Sequence, residues 1–267
     1  MVTTDGDPTA PQAPIALRID GEVAELVLDR ADKRNAMSVP MWSALPSLVA
    51  DAEADDDVKV ILLRGEGPHF CAGADIAEFG EQRSTPEAAQ AYNERIEAAT
   101  GALSRARKPS IAVIRGFCIG AGCELALSCD LRLADTTARF AITPATLGIV
   151  LAYASTRRLV EVVGPSFAKY LLLSANKVSA EEAHRVGMID QLLDPDGLDT
   201  TARELAATIG GRSQVSVRGA KRLIEKAVAG VAADDDEARR IPLEAVTSAD
   251  YAEGVAAFLA KRPARFG

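Results

Sequence analysis

Phe70-Cys71-Ala72-Gly73-Ala74-Asp75 and Gly116-Phe117-Cys118-Ile119-Gly120-Ala121-Gly122-Cys123-Glu124 are two glycine-bearing turns, and they decide how this chain is read. Each follows an apolar, β-branched run and opens a segment of helical character. A chain that leaves a strand and enters a helix through small residues presents free backbone N–H groups at the turn. Two such turns facing one another hold one carbonyl oxygen between two donors, which is an oxyanion hole. The second turn also delivers Glu124, two residues past Gly122. The chain thus offers a donor pair and a candidate acid/base.

The surrounding segments repeat a pattern. Residues 15–19 and 23–28 are apolar runs separated by Asp20-Gly21, a hairpin signal. In residues 40–53, Met41, Leu45, Leu48, Val49 and Ala52 recur at helical spacing. A buried-strand pattern over 58–63 leads into the first turn, and a second over 110–114 leads into the second. Between them, residues 85–105 read as a helix with Pro86 in its first turn. Residues 124–128 read as a short helix and 131–133 as a strand. This order predicts stacked β-β-α units rather than a doubly wound sheet. From residue 165 onward the pattern is helical, over 167–173, 180–186, 199–209, 215–228 and 236–247, with an apolar tail at 254–266. Residues 1–14, with Pro8, Pro11 and Pro14, read as a disordered tail. No linker splits the rest, which divides into a core over 15–200 and a helical region over 201–267.

Composition excludes several classes. The 267 residues are 48% hydrophobic and 4% aromatic, so a full core must be filled by aliphatic side chains. With 30 Lys+Arg against 38 Asp+Glu the net charge is −8, which argues against nucleic-acid binding but allows local capture of phosphates. Cys71, Cys118, Cys123 and Cys129 lack metal-site spacing, as do His69 and His184, so reduced, packed thiols in a cytoplasmic protein are expected and no metal. The first residues lack a signal-peptide pattern, and no apolar run approaches the ~20 residues of a membrane helix.

In order and spacing, a longer set of motifs resembles the enoyl-CoA hydratase/isomerase, or crotonase, superfamily from about residue 15 to 266. The set comprises Lys33-Arg34-Asn35-Ala36-Met37, both glycine turns, Cys129-Asp130-Leu131, Phe140 before Gly148, Arg158-Leu159, Gly164-Pro165 and the Ala257-to-Arg262 tail. The resemblance implies an α/β spiral of β-β-α units with C-terminal helices that build a homotrimer or a dimer of trimers. It implies an acyl-CoA thioester as substrate, with coenzyme A part of that substrate and no separate cofactor. The thioester oxygen would be held by the N–H groups of Ala74 and Ala121. Family members usually carry glycine at the latter place, a departure that matters only if φ there is positive. Lys33, Arg34, Ala36, Ala72, Asp75 and Ile76 match the stretch around the CoA ester. Phe258 and Lys261 match tail residues that reach a neighbouring subunit's CoA. Read without the resemblance, Lys33, Arg34 and Lys261 also fit solvated positions, Asp75 fits a helix cap, and Glu124 fits a carboxylate answering a helix dipole.

Hydratases of this family use two glutamates. Glu124 matches one; the other falls on Pro144, next to Ala145, neither of which moves a proton. Adding water needs one group to activate it and another to protonate the α-carbon, so a substitute is sought in Glu78, Glu81 or Tyr153. The Thr143-Pro144-x-x-Leu147-Gly148 stretch is similar to members that decarboxylate methylmalonyl- or ethylmalonyl-CoA, although a tyrosine those enzymes carry falls on Leu151. Single-base isomerisation, thioester hydrolysis and a non-catalytic acyl-CoA-binding role stay open. A nicotinamide site is discarded, because Leu125 stands where the third glycine of G-x-G-x-x-G belongs. Residues 147–153 are apolar enough to line an acyl tunnel.

Overall fold

Asp20-Gly21 makes the turn it signals: Gly21 has a φ of 57°, and Asp20 pairs with Val23 across the hairpin. In the computed structural model, which describes residues 14–266, nine strands follow in chain order. They are β1 (Ile15–Asp20), β2 (Val23–Leu28), β3 (Val60–Gly65), β4 (Ser110–Ile114), β5 (Phe117–Ile119), β6 (Leu131–Asp135), β7 (Arg139–Ala141), β8 (Val178–Ser179) and β9 (Gln191–Leu193). The tail expected over 1–14 lies outside the described residues except for Pro14, whose carbonyl accepts from Asp29 N.

The strands form two sheets. One has the order β1-β2-β3-β4-β6-β9, parallel except for the opening hairpin, and the other has the order β5-β7-β8. Two successive repeats each give one strand to each sheet and then a helix. β4 and β5 are followed by α4 (Ala121–Leu127), and β6 and β7 by α5 (Tyr153–Ser174). This is the expected spiral of β-β-α units.

The large sheet is covered on both faces, which is why β3 and β4 read as continuous apolar runs instead of alternating ones. On one face Ile61, Leu63 and Ile114 pack in the core with Trp42 and Leu45 of α1 (Val39–Ala54) and Leu103 of α3 (Pro86–Arg105). The short α2 (Phe79–Gln82) precedes α3. On the other face Val60, Leu62, Val113 and Leu133 meet Leu198, Ala202 and Ala206. These belong to α7 (Leu198–Gly210), which follows α6 (Ala180–Arg185) and runs across the boundary drawn at residue 200, so the packed layers extend to Gly210. Beyond them come α8 (Gln214–Val228), α9 (Asp236–Val246) and α10 (Ala249–Leu259).

Two helices of the core start before the sequence reading places them. α4 begins at Ala121, earlier than the helix expected from residue 124. α5 begins at Tyr153, well before residue 165; Gly164 (φ 73°, ψ 162°) kinks it, and Pro165 restarts it.

Candidate active site

The two glycine turns are joined through their backbones. Cys71 N donates to Phe117 O at 2.8 Å and Ile119 N to Cys71 O at 2.9 Å, a parallel bridge that docks the first turn on β5. On its other side Met37 N donates to Gly73 O and Asp75 N to Met37 O, both at 2.8 Å. Successive N–H groups of extended chain point to opposite sides, so the Ala74 N–H faces away from Met37 and has no acceptor among the described residues. Ala121 is the first residue of α4, where N–H groups have no intrahelical acceptor. Gly120 adopts φ 52° and ψ −111° to aim the helix, a conformation costly for any other residue. Ala121 itself is not at positive φ, so alanine in place of the family's usual glycine imposes no backbone strain. Gly122 is fixed by proximity: a Cβ there would lie 2.6 Å from Cys71 O.

These turns floor a pocket open to the surface. Ala72, Ala74, Ile76, Ala121 and Glu124 line it, together with Ile142, Thr143 and Pro144. Leu147, Ile149, Val150, Leu151 and Ala152, from the stretch 147–153, form an apolar wall. Glu124 is the only carboxylate among the lining residues. Its Oε2 accepts a 2.6 Å hydrogen bond from Ser155 Oγ of α5. Burial pushes the Glu124 carboxyl above the ordinary carboxylate range, against the pull of the Ser155 hydroxyl and of the Arg158 and Arg83 charges. Arg158 is itself held by Ser128 Oγ at 3.2 Å and Ser104 Oγ at 3.0 Å.

A family model described as enoyl-CoA hydratase/isomerase matches residues 18–267. The chain belongs to the enoyl-CoA hydratase/isomerase family. It is 32% identical to the short-chain-enoyl-CoA hydratase of Clostridium acetobutylicum, an alignment that covers 93% of this chain and 95% of that one. It is 33% identical to the crotonyl-CoA hydratase of Syntrophomonas wolfei, over 94% and 97% respectively. Among solved structures it resembles an enoyl-CoA hydratase/isomerase family protein from Hyphomonas neptunium, with a TM-score of 0.93, 43% identity and coverage of 95% and 97%.

Within this family frame, the residues expected at the CoA ester divide into two groups. Ala72, Ala74, Ile76, Ala121 and Glu124 converge on the pocket. Lys33, Arg34 and Ala36 lie outside it, on a loop whose Arg34 O accepts from Ala72 N at 2.9 Å. Arg34 also sits 5.5 Å above the Phe117 ring. The loop is pinned by Asn35, which is fully buried: its Nδ2 donates to Glu66 O and His69 O, and its Oδ1 accepts from Arg30 N. Asp75 takes the capping position that is its alternative reading. Its carboxylate accepts from Arg30 Nη1 at 2.7 Å and from Ala77 N at 3.1 Å, and it caps the turn that starts at Ile76. Phe258 and Lys261 are at the far end of α10, away from this pocket, and Phe258 is 83% exposed.

The candidate substitutes for the missing glutamate are also placed elsewhere. Glu78 Oε2 accepts from Val39 N at the start of α1, and neither it nor Glu81 lines the pocket. Tyr153 is 81% exposed at the start of α5 and does not line it either. The sequence reading missed Ser155, Arg83, Tyr92 and Asn93. The i, i+4 spacing of Tyr92 and Ile96 on α3 carries the only signal for one of them, since it turns Tyr92 inward.

Proposed function

We propose that the protein is a single-base enzyme of the hydratase/isomerase type, acting on an acyl-CoA through a thioester enolate. The observation that carries this reading is the lone pocket carboxylate, Glu124, beside the unpaired N–H groups of Ala74 and Ala121. The thioester oxygen sits between those two donors. Removing an α-proton, or adding a nucleophile to the enoyl ester, builds negative charge on that oxygen, and each preorganised donor contributes about 3–4 kcal/mol at that moment. Glu124, with its affinity for a proton raised by burial, takes and returns the proton.

Isomerisation is completed by this base alone, because one carboxylate removes a proton at one carbon and returns it at another. Hydration requires Glu124 to deprotonate the water and then pass that proton to the α-carbon, since Pro144 and Ala145 supply no second acid. Decarboxylation of a malonyl-type ester makes the same enolate without a base and is the second reading, supported by the absence of a second carboxylate among the lining residues. No separate cofactor enters any of these steps.

The apolar, exposed Val246, Val255, Phe258 and Leu259 of α9 and α10 support a homotrimer or a dimer of trimers, in which Phe258 and Lys261 reach a neighbour's CoA. The four free, buried thiols, with Cys71 and Cys129 pushed up to about 12 by burial, support a reducing, cytoplasmic setting.

Mass spectrometry of crotonyl-CoA, a 3-enoyl-CoA and methylmalonyl-CoA incubated with the protein in deuterated water tests this reading. Conversion of the 3-enoyl ester with deuterium incorporation, or addition of heavy water to crotonyl-CoA, supports it. Loss of carbon dioxide from the third ester alone replaces it with the decarboxylase. No change in any of the three overturns it.

A further inference from the structure

One cation lines the pocket, and its part in the reaction above is confined to its pull on the Glu124 carboxyl. Arg83 follows α2 and packs with its guanidinium carbon 5.0 Å from the Phe79 ring centroid and 5.1 Å from that of Tyr92. The two rings meet edge to face with centroids 6.0 Å apart, so they fix the plane of the guanidinium from the side. Asn93 Oδ1 accepts from Arg83 Nη2 at 3.1 Å. Arg83 has no ion-pair partner among the described residues, and its buried Nε has no hydrogen-bond partner. Glu124 is the nearest pocket carboxylate; it lies beyond ion-pair distance, and its Oε2 accepts from Ser155. Tyr92 also lines the pocket, and its buried Oη neighbours the Trp42 indole of the core without a well-formed hydrogen bond.

The guanidinium is half-buried and has no ion-pair partner among the described residues, so solvent or a ligand must answer its charge. Its remaining N–H edge is planar and forked, which matches a carboxylate better than a hydroxyl or an amide. Taking the acyl-CoA reading as given, we propose that Arg83 is a specificity residue that receives a second carboxylate on the acyl chain, so that the preferred substrate is a dicarboxylyl-CoA ester. Asn93, Phe79 and Tyr92 position the guanidinium. The reaction retains this carboxylate. A guanidinium that binds it stabilises the ground state of any decarboxylation, so the carboxylate that Arg83 holds is a spectator remote from the α-carbon.

The test compares binding, not turnover, and therefore separates failure of this inference from failure of the proposed reaction. Isothermal titration of the full chain with butyryl- and hexanoyl-CoA, and with succinyl-, glutaryl- and adipyl-CoA, gives the affinity ratio of acid to apolar ester. At least one acid is expected to bind about 10-fold or more tightly than the apolar ester of similar length. In Arg83→Met that ratio falls to about one or below, and in Arg83→Lys, which keeps the charge without the fork, it takes an intermediate value. Asn93→Ala lowers the ratio as well, and circular dichroism identifies variants that have not folded. Equal or weaker binding of every acid by the unaltered protein overturns the inference and leaves the acyl-CoA reading standing. An unchanged ratio in a folded Arg83→Met also overturns it. Failure of every ester to bind overturns both.

Discussion

Glu124 is surrounded by Gly122, Cys123, Leu125 and Ala126, with one hydroxyl from Ser155, and this environment sets a testable conflict between chemistry and stability. Its folded-state pKa is raised, so the stabilising contribution of its bound proton is complete below the ordinary value near 4.5. That contribution is lost as pH rises through the folded value. Glu124→Gln, which needs no ionisation, is expected to melt above the unaltered protein at pH 7 and to converge with it as pH falls toward 4.5, read by a pH series of thermal melts. The same variant is expected to lose about 10²–10⁴-fold in turnover. Ser155 opposes the shift by donating to the ionised carboxylate. Ser155→Ala therefore raises the Glu124 pKa further, and the acidic limb of the pH–rate profile is expected to move to higher pH. An unmoved limb assigns the limb to another group.

At the scale of elements, the site depends on two backbones meeting where no side chain fits. Gly122→Ala places a methyl group against Cys71 O and is expected to cost about 1–3 kcal/mol of stability, read by urea titration. It is also expected to lower kcat more than it raises KM, because the first turn of α4 moves relative to Ala74. Asn35→Ala strands the buried Glu66 and His69 carbonyls and is expected to cost about 1–3 kcal/mol in the same titration. The turns were legible in the sequence because small residues between an apolar strand and a helix leave a local pattern. So were the opening hairpin, marked by Asp20-Gly21, and the helices after residue 198. The second sheet was not. β5, β7 and β8 are two or three residues long, too short for any period to register, and exist because their partners hold them. Arg83 and Ser155 were hidden for another reason. They reach the pocket from α2 and α5, and no spacing along the chain links either to Glu124. The cap at Asp75 was legible from its place before the turn, while its pairing with Arg30, distant in sequence, was not.

Among the described residues, one pocket holds a single acid, the two unpaired N–H groups and a guanidinium with no ion-pair partner, while a separate apolar surface lies on α9 and α10. If that surface joins copies of the chain, sedimentation velocity is expected to give a trimer or hexamer, and Leu259→Glu to shift it toward monomer; an unaltered protein that sediments as a monomer contradicts the assembly. The account rests on one central step, proton removal from the α-carbon by Glu124 with the enolate oxygen held by Ala74 and Ala121. Proton NMR of butyryl-CoA in deuterated water reads that step directly, since a saturated ester offers neither hydration nor isomerisation. The account predicts loss of the α-proton signal with the unaltered protein and its persistence with Glu124→Gln. A signal that persists with both, or is lost at the same rate with both, contradicts it.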